Sequence, residues 1–194
     1  MKAISIFCGA NFQGDPDIAS AIEQLAELMV FKDIHLVYGG GRVGLMGLMA
    51  DAVLRRGGRV TGVIPRFLMD KEVGHAGLTE LIITENMHER KKHMADLSEG
   101  VITLPGGFGT LEEFFEVLTW LQLGLHRHPI GILNLKGFYD PLLQQMDVML
   151  AHGFLKPINR RLVLAHADPA SLLEMMEKFD PQPDEVWFRE RNLT

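Results

Sequence analysis

The sequence predicts a single α/β domain, a doubly wound parallel sheet with helices on both faces, and three observations carry that prediction. Apolar runs of four to six residues recur along the chain, continuous rather than alternating, as in strands buried on both faces. A longer run of helical period follows each of them, as crossover helices between parallel strands require. Glycine clusters stand after the first, second and fifth apolar runs, at the strand ends where such Rossmann-like sheets bind ligands.

Taken in order, residues 3–8 read as a buried strand. Asp15 then supplies an N-cap and Pro16 a first-turn residue for a helix to about residue 32. Residues 35–38 form a second strand, followed by glycines and a helix over 44–56. A third strand, 59–64, stops at Pro65, and 66–79 form a loop with a helical turn. Strands at 81–84 and 101–104 flank a helix near 87–98. A helix over 110–123, a strand at 130–133 and a helix over 139–152 come next. The last strand is expected at 161–164 and the last helix at 171–179. Asp180-Pro-Gln-Pro-Asp184 is turn-rich, so the domain is placed at 1–180 and a C-terminal tail at 181–194.

The bulk properties agree with one domain, since 194 residues is close to the ~150 expected of one. A net charge of −6 argues against a nucleic-acid binder or a basic membrane-surface protein, but not against a small anion held locally. The single Cys8 cannot form an intrachain disulfide and fits a reducing compartment. No run reaches the ~18 apolar residues of a membrane span, and the apolar run at the N-terminus is short for a signal peptide. A cytoplasmic protein is expected.

Gly39, Gly41 and Gly44 match G-x-G-x-x-G between a strand and a helix. The acid that should follow ~20 residues on, for a ribose hydroxyl, is missing from 59–66. A nicotinamide or flavin cofactor is therefore not expected. The glycines serve either tight packing or backbone approach to a smaller nucleotide. No phosphate loop of the GxxxxGK[ST] type occurs. His88 and His93 are five apart, which turns the rings ~140° from each other on a helix, and His126 and His128 lack a nearby carboxylate in sequence. These read as surface or core histidines, and no metal is expected.

Met87, Arg90, Met94 and Leu97 share one helix face, with Glu89, Lys92 and Asp96 on the solvated side. An arginine in that apolar stripe either snorkels or meets an anion in a cleft. The stretch "PGGFGTLEE", residues 105–113, also has two readings. Thr110-Leu-Glu-Glu113 has the spacing of a capping box. Equally, the glycines ahead of it leave backbone N–H groups open at a helix N-terminus, where phosphate is favoured. Glu113 and Glu116 then face one side with Trp120, while Leu111, Phe114, Phe115, Leu118 and Leu121 take the core. An acid pair beside a phosphate site suits chemistry on a sugar phosphate.

"YGGGRVGLMG", "MHERK" and "PGGFGTLEE" together resemble the Lonely Guy (LOG) family, once labelled possible lysine decarboxylases. The resemblance runs from "FCGA" to about Asp180, and MHxRK with PGGxGTxxE is its specific part. It implies a Rossmann-like homodimer that cuts the N-glycosidic bond of cytokinin riboside 5′-monophosphates, and often AMP, to free base and ribose 5-phosphate. The decarboxylase label would need a pyridoxal phosphate lysine, and none is singled out, so no cofactor is expected. Carried over by motif, the catalytic residues are Arg90 and Glu113, and the backbone of Gly106, Gly107, Gly109 and Thr110 holds the 5′-phosphate. Met87 and Lys91 in MHxRK, Glu116 near the ribose, and Gly41 and Gly44 complete the substrate-binding candidates. Ala10 stands where many members have Ser, so a side-chain role is not carried over to it. The helices at 87–98 and 110–123 offer Met94 and Trp120 for a dimer interface. Two other readings stay open: a nucleotide carrier or sensor that cleaves nothing, and a salvage nucleosidase of broader base preference.

Overall fold

The computed structural model describes residues 1–69 and 74–181. Seven strands among them form one parallel sheet: β1 (Ala3–Phe7), β2 (His35–Tyr38), β3 (Val60–Pro65), β4 (Glu80–Thr84), β5 (Val101–Thr103), β6 (Ile130–Leu133) and β7 (Val163–His166). The order across the sheet is β4-β3-β2-β1-β5-β6-β7. The chain thus winds outward from β1 in one direction to β4, then crosses back to β5 and winds the other way. β1 and β5 are neighbours, paired from Ser5 with Val101 to Phe7 with Thr103, and the crevice at their carboxyl ends is the switch point of the fold.

The helices are α1 (Pro16–Phe31), α2 (Gly44–Arg55), α3 (Met87–Asp96), α4 (Phe108–Gln122), α5 (Asp140–Ala151), α6 (Pro157–Arg160) and α7 (Pro169–Glu177). The period of two along each strand divides the core between the two faces of the sheet. Ile4, Ile6, Leu36, Tyr38, Ile102 and Leu104 face α1, α2 and α7. Phe7, Val37, Val101, Ile130 and Ile132 face α3, α4 and α5 through Met94, Phe114, Val117 and Met146. Continuous apolar strands are therefore what a sheet covered on both sides demands.

The expected elements are found, with ends moved by a residue or two. Arg66–Leu68 is the helical turn expected in the loop after β3, while residues 70–73 of that loop lie outside the described residues. Apart from Pro181, the expected tail also lies outside them. The short α6 was not anticipated, because four residues opened by Pro157 carry no period to detect. Met94, expected at an interface, is instead fully buried in the core, and Trp120 packs against that core half-buried. On α4 the core face is Phe114, Val117 and Leu121, with Leu111 and Leu118 partly buried, whereas Phe115 points outward.

Gly44 shows why the glycine cluster after β2 is needed. It has φ of 60°, and a Cβ there would overlap the backbone of Ala10 and Asn11 in the loop after β1. The next residue ties the same two segments together, since Leu45 N–H donates to the Gly9 carbonyl at 3.0 Å. Gly9 N–H in turn donates to the Pro105 carbonyl at 3.0 Å, so three strand-end loops are stitched side by side. Gly44→Ala should lower the unfolding free energy by about 2–3 kcal/mol, from the left-handed backbone and the displaced loop together. A urea melt with an unmoved midpoint would mean that the loop yields at no cost.

Candidate functional site

A cavity of about 670 Å³ opens at the switch point, between the loop after β1 and the loop after β5. Its walls divide by chemistry. One end is backbone-rich, with Pro105, Gly106, Gly107, Gly109 and Thr110. The floor holds Arg90 and Glu113, and the other walls are Cys8 to Gln13, Asp15, Ile18, Leu45, Met46 and Phe138. Asp15 caps α1 by accepting from Asp17 N–H at 3.0 Å, and Lys136 pairs with it at 3.0 Å. That cation, followed by the cap hydrogen bonds, holds the Asp15 carboxyl below its usual pKa.

The glycine corner settles the capping question. α4 starts at Phe108, with Gly107 at the N-cap and no side chain capping it. The first intrahelical bond runs from Leu111 N–H to the Gly107 carbonyl at 3.1 Å. The N–H groups of Phe108, Gly109 and Thr110 therefore have no acceptor within the helix. The capping box that the Thr110–Glu113 spacing allowed does not form, because both residues already lie inside the helix, Thr110 as its third residue and Glu113 as its sixth. The reciprocal cap belongs to α3 instead, where Asn86 accepts from Glu89 N–H at 3.0 Å and Glu89 accepts from Glu85 N–H at 3.0 Å. An uncapped helix start with converging N–H groups and the positive end of the dipole is built to receive an anion.

Tyr139, which the sequence reading missed, braces this corner from behind. Its hydroxyl donates to the Leu104 carbonyl at 2.8 Å, two residues ahead of Gly106. The chain entering the corner is thus held from behind, and Gly106, Gly107, Gly109 and Thr110 line the cavity. Burial raises the Tyr139 pKa well above that of a free phenol, so it remains a hydroxyl donor.

Relieved of capping, Glu113 pairs with Arg90: Arg90 Nη1 lies 3.0 Å from Glu113 Oε1, with the two side chains only 8% and 10% exposed. Of the two readings of Arg90, snorkelling is excluded. Its Nε donates to the Val63 carbonyl at 3.2 Å, which fixes the plane of the guanidinium, and Met87 Sδ lies 3.8 Å from Nη1. Gly39 leaves the space that the guanidinium occupies, since a Cβ there would overlap Arg90 Nη2. The apolar stripe of α3 is kept by Met94, while Leu97 at its end is exposed.

The remaining candidates stand around this centre rather than in it. Gly41 bridges to Gly74, and Gly44 packs on the loop after β1; neither lines the cavity. Lys91 points between α3 and α4, where its Nζ lies 2.8 Å from Glu112 and 2.9 Å from Glu116. Burial opposes its charge, but the contacts with Glu112 and Glu116 prevail and raise its pKa. Phe12, Ile18 and Phe138, which do line the cavity, had no signal in the sequence beyond their place after strand ends. His88 and His93 are exposed. His126 is tied to the Val117 carbonyl through Nε2 at 3.0 Å and to His128 N–H through Nδ1 at 3.1 Å. Among the described residues, no group of three His, Cys, Asp or Glu side chains is gathered for a metal ion.

A family model described as "Possible lysine decarboxylase" matches residues 46–176, a stretch that contains both members of the ion pair. The chain is 43% identical over 185 residues to cytokinin riboside 5′-monophosphate phosphoribohydrolase LOG7 of Arabidopsis thaliana, covering 95% of this chain and 85% of that protein. It is 45% identical over 183 residues to probable cytokinin riboside 5′-monophosphate phosphoribohydrolase LOGL1 of Oryza sativa subsp. japonica, covering 94% and 82%. The fold is shared more widely. A molybdenum cofactor binding protein of Rippkaea orientalis superposes with a TM-score of 0.66 at 21% identity, covering 90% of this chain and 94% of that one. A Moco carrier protein from Chlamydomonas reinhardtii gives 0.66 at 17% identity, covering 91% and 95%. With the match spanning both helices that carry Arg90 and Glu113, the chain belongs to the LOG family, the group described as possible lysine decarboxylases.

Proposed function

We infer that the protein is a phosphoribohydrolase, which uses water to cleave the N-glycosidic bond of nucleoside 5′-monophosphates and yields free base and ribose 5-phosphate. The observation that carries this is the buried Arg90–Glu113 pair lying in one cavity with the uncapped N-terminus of α4. A carrier would gain nothing from a carboxylate placed beside a phosphate site. A pyridoxal phosphate decarboxylase needs a Schiff-base lysine, and no lysine is among the described residues lining the cavity.

On this reading the roles follow in sequence. The 5′-phosphate binds the open N–H groups of Phe108, Gly109 and Thr110, with the helix dipole behind them. That anchors the ribose over Glu113. As the bond from C1′ to the base nitrogen breaks, positive charge develops on the ribose, and the Glu113 carboxylate stabilises it or takes a proton from the attacking water. The hydroxyl of that water ends on C1′, and the base nitrogen gains a proton. Arg90 directs the Glu113 carboxylate through their 3.0 Å ion pair and donates to the nucleotide. The base extends toward Phe12, Ile18 and Phe138, an apolar wall suited to a purine and to an alkyl group on its exocyclic nitrogen. The curated relatives are named for cytokinin riboside 5′-monophosphates, and the same class of substrate is proposed for this chain, with AMP as its unsubstituted counterpart. Glu116, on the far side of Glu113 from the cavity, is assigned no ribose contact.

No helix among the described residues is long and apolar enough to cross a membrane. The cytoplasm is the compartment proposed, on the single cysteine and the intracellular class of substrate. A homodimer is proposed as well. Its support is the set of apolar side chains left outside on the two helices of the site, Leu97 on the end of α3 and Phe108 and Phe115 on α4, with Phe108 94% exposed.

Glu113→Gln keeps the shape and loses the charge. It should lower kcat for AMP by roughly 10²–10⁴-fold, read as free adenine by chromatography. It should also destabilise the fold by about 1–3 kcal/mol, because Arg90 keeps its buried charge without a carboxylate. A folded Gln variant with undiminished turnover would return Glu113 to a purely structural role. Light scattering should give twice the monomer mass of 21.7 kDa, and a single-chain mass would remove the dimer.

A further inference from the structure

We propose that Lys91 is a positioning residue, which offsets the two carboxylates flanking Glu113 and so keeps Glu113 charged against Arg90. The proposal rests on the hydrolase reading of the site. Of three successive cations on α3, Arg90 and Lys91 turn toward α4, which answers with Glu112, Glu113 and Glu116, while Lys92 pairs with Asp96 in solvent. Arg90 turns into the large cavity, whereas Lys91 lies outside its lining. The Lys91 side chain is 11% exposed and reaches Glu112 Oε1 at 2.8 Å. Glu116 Oε2 is 2.9 Å from the same Nζ, a close ion pair off the line of a hydrogen bond.

Lys91, Glu113 and Glu116 also share a small void of about 10 Å³ behind the site, closed by Ser5, Phe7 and Val101 of the sheet. Glu113 therefore has substrate space in front and the Lys91 cluster at its back. Among the described residues, the charged groups that line the cavity or the void with it on the two helices are Arg90 and Lys91 from α3 and Glu116 from its own helix, while Glu112 is turned to Lys91. Cys8 and Asp15 line the cavity as well, and from the sheet Ser5, Phe7 and Val101 line the void. Carboxylates three apart on a helix are neighbours, and uncompensated like charge favours the protonated acid. Take Lys91 away, and Glu112 and Glu116 lose the cation that compensates them beside Glu113.

The test is the pH profile of kcat for AMP in wild type, Lys91→Met, Lys91→Arg and the double variant Lys91→Met/Glu116→Gln, with Lys91→Gln as substitute should Met prevent folding. In Lys91→Met the acid limb should move up by about one pH unit, so that kcat below the limb falls roughly tenfold, while KM stays within about threefold. Lys91→Arg should keep the wild-type limb, and the double variant should restore it by removing one of the carboxylates. A KM raised tenfold or more with the limb unmoved would make Lys91 a substrate contact and overturn the proposal. An unchanged profile would overturn it too, leaving a solvated ion pair. A carboxyl-carbon NMR titration of Glu113 reads the same shift without turnover. The wild-type rate on AMP reports separately on the hydrolase reading.

Discussion

The buried pair of Arg90 and Glu113 is the interaction on which the rest of the site depends. Placing two charges where they are 8% and 10% exposed costs desolvation that their mutual attraction only partly offsets, so stability gives little reason to keep them there. The surroundings are arranged around that cost. The Val63 carbonyl accepts from Arg90 Nε, Gly39 leaves room for the guanidinium, and Glu113 is released from capping because α4 begins earlier. A pair expensive to bury, and held at three points from three elements, is better explained by chemistry than by folding.

Topology brings those elements together. Because β5 returns to pair with β1, the loops after both strands diverge at one point and leave a crevice between them. α3 follows β4 at one edge of the sheet, yet it lies over β3 and the second core, so Arg90 reaches the crevice from one side while α4 enters from the other. The open helix start and the carboxylate are then a single helix turn apart, Thr110 to Glu113. On the proposed reading, that spacing lets one site hold the 5′-phosphate and act on the anomeric carbon.

The strands and most helices were legible because a sheet covered on both faces imposes continuous apolar runs, and capping residues such as Asp15 mark helix starts directly. α6 was not legible, being a single turn. The start of α4 was misread for a definite reason: Thr-x-x-Glu spacing matches a capping box, and nothing in one sequence shows that Gly107 already serves as the N-cap. Arg90 and Glu113 could be singled out as oddities, a charge in an apolar stripe and an acid beside glycines. That they face each other depends on the packing of two helices distant in sequence. Lys91 shows the same limit. Its place in the motif pointed to substrate, while its actual partners, Glu112 and Glu116, lie on another helix. Tyr139, whose hydroxyl supports the glycine corner, was invisible for the same reason, since its partner Leu104 is 35 residues away.

The central claim is that one cavity reads a phosphate with the α4 N-terminus and breaks a glycosidic bond with Glu113. The most direct measurement compares kcat/KM for base release from AMP and from adenosine under the same conditions. Loss of the charge-assisted contacts to three N–H groups should make adenosine roughly a thousandfold poorer or worse, about 4 kcal/mol of transition-state binding. Equal cleavage of the two would contradict the account, since the uncapped helix start would then have no part in the reaction.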